Sequence, residues 1–254
     1  MARPTKKQRS FQIRADKLMQ KIERPFARAI AREKNRFIKQ YVRNYLIGIK
    51  DNLIGREQHN NNITEIYRFY VGKTIRIFGK AQEKMLKSAT VLEMKKQGDL
   101  FDTFLDDYML QFGFNKAATI SATTNNDMKA VLRRWSDSPI TDKELAAQLS
   151  AVTKLSAARA ATIARTETHA AGQFAFGEIG NFIEATLDVV MMKAWIPSLD
   201  ERTRETHAEM DSSNYISIHE AFVVGGESLM YPSDPAGSPE NVINCLCIMV
   251  QEER

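Results

Sequence analysis

One imidazole and two thiols are the groups in this sequence best suited to chemistry at neutral pH: His207, Cys245 and Cys247. Thiolate and imidazole are ligands that Zn2+ favours, and a zinc centre takes four N, S or O ligands in a tetrahedron. Asp200, on the same turn-helix segment as His207, is the candidate fourth ligand, with His169 and His219 in reserve. Cys245 and Cys247 fall at i and i+2 in the apolar run NCLCIMV (244–250), which reads as a strand, so both side chains would point to one face. The spacing matches no standard finger, so any metal here has to be assembled by the fold. The other reading makes the cysteines small buried core residues, with His207 hydrogen-bonded to a neighbouring carboxylate. Both readings stand at this point, and Zn is the one cofactor the residues suggest. A Cys245–Cys247 disulfide is disfavoured, because same-face strand neighbours lie near the outer limit of disulfide geometry.

A second polar cluster comprises Arg165, Glu167, Arg202 and Arg204, together with Asp200. An enzyme would use the arginines to grip a phosphate or carboxylate while Glu167 or His207 acted as base. A structural role would bridge Arg202 or Arg204 to Glu167 and tie a helix to a sheet. The chain contains no Walker loop, HExxH or GxSxG motif. The structural role is therefore preferred, and no residue is assigned as catalytic. Trp195 reads as core at the end of its strand.

The first two thirds of the chain, from which these groups are largely absent, read as helix. Phe11, Leu18, Ile22, Phe26 and Ile30 recur at helical steps, and Pro25 predicts a kink or a fresh start. GREQHNNNIT (55–64) reads as a turn, and Ile63 to Met85 as a strongly periodic helix. Gly98-Asp99 predicts a break with Asp99 as N-cap, and Phe101 to Phe112 forms another apolar face. SATTNND (121–127) reads as a loop, and Met128–Trp135 as a short helix ended by Ser138-Pro139. Thr141 with Glu144 predicts a capped helix over 142–149, and Ser156 another through 157–176, ended near Gly177 and Gly180. Residues 185–196 then read as a strand stopped by Pro197. Residues 201–210 read as a short helix. Ala221–Val224 and Ser228–Tyr231 flank a Gly225-Gly226 hairpin turn. The expected class is α+β: a long N-terminal helical region, then a small C-terminal domain of mostly antiparallel strands with helices. The expected boundaries are 1–127 and 128–254.

Charge follows this division. Residues 1–60 hold 16 Lys+Arg against 5 Asp+Glu, while the other 194 residues of the 254 hold 20 against 26. A basic arm on an acidic remainder suggests a polyanionic partner. Arg3, Lys6, Lys7, Arg9, Arg14, Lys17 and Lys21 are the candidate contacts to nucleic acid. No motif that reads bases is present, so contact would be to phosphate, nonspecific and salt-sensitive. With 43% hydrophobic and 26% charged residues, wholesale disorder is excluded. Two cysteines exclude a disulfide-stapled scaffold. No apolar run is long enough to span a bilayer, so no membrane partner is expected.

Four features of the C-terminal third come in a fixed order: ARTETHAAG (164–172), KAWIPSLDERTRETH (193–207), the Gly-Gly hairpin with its loop through YPSDP (231–235), and INCLC (243–247). In this order and spacing, residues 130–254 resemble the Mu F-like head morphogenesis family, the minor capsid proteins of tailed bacteriophages. Arg165, Thr166 and Glu167 match its first element. Trp195, Asp200, Arg202, Arg204 and His207 match its second, and Asn244, Cys245 and Cys247 its last. Leu246 departs from the family pattern, which usually has arginine there. The resemblance implies a non-enzymatic, low-copy virion protein, in the host cytoplasm before assembly and in the phage head after it. Portal and capsid proteins would be its partners, with packaged double-stranded DNA contacted by the basic arm. Its role would be head assembly, extending to DNA delivery. The rival is a metal-dependent hydrolase or nuclease centred on His207, Cys245 and Cys247.

Overall fold

The structure is a computed structural model describing residues 3–47, 53–83, 100–137 and 142–254. It is α+β, as expected. The helices are α1 (Lys6–Leu46), α2 (Leu53–Glu83), α3 (Leu100–Tyr108), α4 (Phe114–Asp137) and α5 (Asp142–Leu187). A π-helical turn, Met109–Gly113, separates α3 from α4. After α5 come β1 (Met191–Ile196), α6 (Glu205–Ala208), β2 (Ile216–Ser217), β3 (Phe222–Val224), β4 (Glu227–Leu229), α7 (Pro239–Val242) and β5 (Ile248–Glu253). The Ser138-Pro139 stop, Thr141 and the Gly98-Asp99 break lie outside the described residues. The chain groups into two compact units, each discontinuous in sequence. One comprises Met1–Ile22, Val71–Tyr108 and Arg165–Arg254, the other Glu23–Tyr70 and Met109–Ala164.

In the first unit a three-stranded antiparallel sheet has the order β2-β1-β5, with Trp195 opposite Met249 and Lys193 between Ile216 and Gln251. β3 and β4 form a separate hairpin. Its turn needs positive φ at both Gly225 and Gly226 (59° and 81°), which glycine adopts without steric cost. The C-terminal part of α5 packs on the sheet. Gln173 Oε1, itself buried, accepts the Met249 N–H at 2.8 Å, and Gln251 Nε2 donates to the Phe176 carbonyl at 2.8 Å. A Cβ at Gly180 would stand 2.1 Å from Ile218 Cδ1. Gly180 therefore permits close helix-sheet approach; it is not a helix terminator. This corrects the expected end near Gly177 and Gly180. α5 runs on to Leu187, where Asp188 (φ 51°) takes the left-handed position that ends it, so the strand starts at Met191 instead of 185. The expected division of this stretch into helices 142–149 and 157–176 is also replaced by the single α5.

α1 begins on the same unit. Gln8 Nε2 donates to Ser212 O at 3.1 Å, and Gln12 Nε2 to Pro197 O at 3.3 Å. Ala15 and Met19 pack with Phe78 of α2. Pro25 neither ends nor restarts the helix, contrary to the sequence reading; α1 passes through it, with Ile22 and Phe26 buried on either side.

The second unit explains two further departures. Residues 55–64 are helical, not a turn, because His59, Ile63 and Tyr67 recur at i+4 and are all buried. The asparagines are served within the helical frame, where Gln58 Nε2 donates to Asn62 Oδ1 at 2.9 Å. Residues 121–127 likewise continue α4. Ala117, Ile120, Ser121, Thr124 and Met128 make one buried stripe, and the Thr123 and Thr124 hydroxyls donate to carbonyls four residues back at 2.7 and 3.1 Å. Polar residues on a buried helical face hide the period that apolar ones would announce.

The second unit also carries a buried ion cluster. Glu33 accepts two hydrogen bonds from Arg36 at 2.8 Å, faces His59 Nδ1 at 3.0 Å, and accepts from Asn62 Nδ2 at 3.2 Å. Burial alone would raise the Glu33 carboxyl, but hydrogen bonds from Arg36, His59 and Asn62 outweigh it and hold it at about 2. A carboxyl depressed on folding stabilises above its unfolded value near 4.5, and that stability drains away as pH falls toward about 2. Glu33→Gln is expected to lower stability at pH 7 by about 1–3 kcal/mol and to flatten the acid limb. Thermal unfolding from neutral pH down to about pH 3 checks this; an acid limb as steep as that of the wild type would refute it.

Candidate metal centre and the loops that assemble it

Cys245 and Cys247 do not lie on a strand. The turn after α7 carries Asn244 at φ 58°, and residues 245–247 lead into β5, which starts only at Ile248. Alternation along this stretch still turns both thiols inward, and both residues are 2% exposed. Each Sγ lies 3.6 Å from Nδ1 of His207, which is 1% exposed. His207 comes from α6 and packs edge-on against Trp195 of β1, with ring centroids 5.4 Å apart at 89°.

The second ring nitrogen fixes the role of the first. Asn241 Nδ2 donates to Val224 O at 3.3 Å, which turns Asn241 Oδ1 toward His207 Nε2, also at 3.3 Å. That assigns the ring proton to Nε2 and leaves the Nδ1 lone pair aimed at the two sulfurs. The thiols act as a pair. The hydrogen bond with Cys247 holds Cys245 well below the usual thiol range, while the same contact and burial push Cys247 well above it.

The same turn gathers the other motif residues. The Asn244 N–H donates to Thr166 Oγ1 at 3.1 Å, and Arg165 Nη1 donates to Asn244 Oδ1 at 3.3 Å, joining α5 to the turn. Arg204 Nη2 donates to the Ile243 carbonyl at 2.6 Å. Ser233 Oγ donates to the Cys245 carbonyl at 3.2 Å. Asp234 folds the proline-rich loop by accepting from the N–H groups of Met230 (2.8 Å) and Ala236 (2.9 Å). Lys193 on β1, almost wholly buried, donates to Met230 O at 2.8 Å over the Phe222 ring. Burial pushes the Lys193 ammonium down to about 8, against the pull of Asp234 and Glu220.

Several expected roles change. Asp200 is not with the thiols and imidazole. Its carboxylate accepts from Arg202 Nη2 at 2.9 Å, Arg202 N–H at 3.1 Å and Thr203 Oγ1 at 3.0 Å, so it organises its own turn. Burial would raise that carboxyl, but the bonds from Arg202 and Thr203 keep it below its usual value. Arg202 pairs with Asp200, and Arg204 holds a backbone carbonyl. Glu167 is buried on α5. His169 is buried too, and burial lowers it to about 4 although Cys245 pulls it up and Arg165 pushes it further down. His219 is exposed and pairs with Glu184.

Among the candidate nucleic-acid contacts, Arg3, Lys6, Lys7, Arg14, Lys17 and Lys21 are exposed. Arg9 is not free for phosphate; it donates to Ser198 O at 3.0 Å and to Gln12 Oε1 at 2.7 Å. Asn241 is the important residue that sequence reasoning missed. No spacing connects it to His207, and the four-residue helix α7 that delivers it is too short to show a period.

No helix among the described residues is long and apolar enough to cross a membrane. No curated protein and no solved structure matches the chain. One family does: residues 137–250 match the family described as Phage Mu protein F like protein. That stretch holds every group of the motif array, from Arg165 to Cys247, and over it the chain is similar to the Mu F-like phage proteins.

Proposed function

We propose that this chain is a minor head protein of a tailed phage. It would join the portal vertex during head assembly, contact packaged DNA through α1, and remain in the virion, with a part in DNA delivery. The observation that carries this reading is the joining of a Mu F-like stretch to a helix with a solvent-facing basic side. Arg14, Lys17 and Lys21 recur at helical steps and are exposed, opposite buried Ala15, Met19 and Ile22. Further exposed basic positions follow at Arg24, Arg28 and Arg32, while Arg36 is committed to Glu33. Fixed on a helix, these cations lose little freedom on meeting phosphates, and counterion release drives the contact.

An assembly role also suits the His207–Cys245–Cys247 cluster better than hydrolysis does. All three side chains are buried, and a hydrolytic centre must admit substrate. The test is quantitative mass spectrometry of purified mature particles, counting this chain against the portal subunit. A stoichiometric signal, from a few copies up to about one per portal subunit, is expected. Absence from particles alongside abundant free protein in infected cells would overturn the reading and favour a transient assembly factor or an enzyme.

A further inference from the structure

We propose that His207 Nδ1, Cys245 Sγ and Cys247 Sγ hold one Zn2+, which fastens the entry to the last strand onto the short helix α6. Among the described residues this is the trio of His, Cys, Asp or Glu whose ligand atoms all lie within 4.8 Å of one another.

The spacing fits a metal. Bonds of about 2.3 Å to sulfur and about 2.05 Å to nitrogen, set at a tetrahedral angle, separate nitrogen from each sulfur by about 3.6 Å. Both separations here are 3.6 Å. With the ring proton on Nε2, Nδ1 has a single lone pair, enough for one S–H donor. Two thiols at equal distance from one nitrogen compete for its single lone pair, and the second can turn only to the other sulfur, a weak acceptor, whereas a cation satisfies all three ligand atoms at once.

The surroundings fit as well. The non-ligating nitrogen of a metal-bound histidine ordinarily meets a second partner that fixes its tautomer. Asn241 fills that place, and its own orientation is fixed by Val224 O. The donor set of two thiols and an imidazole selects zinc over Mg2+ or Ca2+, which take oxygen. The two thiol protons pass to solvent on binding, and a water completes the fourth position. The ligands come from two segments distant in sequence, so the ion bridges α6 to the approach to β5. Its binding free energy then adds to the stability of this part of the fold.

The experiment uses the full chain, purified without chelator, with metal content measured by plasma mass spectrometry. About one zinc per chain is expected. After stripping, Co2+ titration should give sulfur-to-metal charge-transfer absorption that saturates at about one equivalent, and zinc should protect both thiols from a thiol reagent. Asp200→Asn should keep the metal and His207→Ala should lose it. Asn241→Ala should weaken binding by about 10–100-fold. The wild-type titration decides the matter even where a ligand variant does not fold. A metal-free chain whose thiols react equally with and without added Zn2+, or a Cys245–Cys247 disulfide in the native protein, would overturn the assignment.

Discussion

Replacing Trp195 with alanine should cost the C-terminal part of the chain about 3–5 kcal/mol, the range for truncating a fully buried large aromatic. The side chain is 0% exposed. It lies near the end of the central strand β1, opposite Met249 of β5, with ring centroids 5.4 Å from both His207 and Phe222. The cavity would open where β1, the β3–β4 hairpin and α6 converge, and β1 is hydrogen-bonded on both sides, so the backbone has little freedom to collapse into it. Chemical denaturation followed by far-UV circular dichroism is the measurement, since the substitution removes one of the two tryptophans. A Trp195→Phe variant should lose less, because an aromatic edge toward His207 is kept. A loss below about 1 kcal/mol for Trp195→Ala would mean that the pocket relaxes and that Trp195 does not hold the domain together.

The second large effect concerns α1 and rests on the proposed DNA contact. Neutralising Lys6, Lys7, Arg14, Lys17 and Lys21 to glutamine should lower the log-log salt slope of duplex binding by about 4–5, since each phosphate contact contributes about 0.9. Such contacts weaken wild-type binding by about 10²–10³ between roughly 50 and 200 mM salt, and the variant should lose most of that dependence. The fold should survive, because all five residues are exposed. Arg9→Gln should act differently. Its guanidinium holds the Ser198 carbonyl, so its loss should show in stability more than in the salt slope. Fluorescence anisotropy across a salt series separates the two. An unchanged slope in the five-residue variant would move any DNA contact off this part of α1.

How much of this was legible beforehand differs from element to element. The hairpin at Gly225-Gly226 was legible because two consecutive glycines between short apolar runs admit few other backbones. The grouping of His207 with Cys245 and Cys247 was legible from residue chemistry, although the reason first given for the cysteines' shared direction, a strand through both, was wrong. Residues 55–64 and 121–127 carry a local polarity that reads as a turn or loop, yet both are helical. A helix carrying its neighbours' packing overrides that signal, and Ser121, Thr124 and His59 are buried by contacts that no local window contains. Gly180 was misread for the same reason: a missing side chain means a helix end when nothing is near and a close approach when a sheet is.

The sequence by itself determined the helical and strand propensities, the basic side of α1, the order of the four C-terminal motifs and, through them, the family resemblance. These are properties of residue type and spacing, and they survive without knowledge of contacts. The tertiary structure alone decided what each motif residue touches. It gave Asp200 to its own turn, took Arg9 from the candidate phosphate contacts, set Arg204 against a backbone carbonyl, and brought Asn241 to the back of His207. Those choices depend on where separate segments meet in space. Buried polar groups must find partners wherever the fold offers them, whatever their distance along the chain.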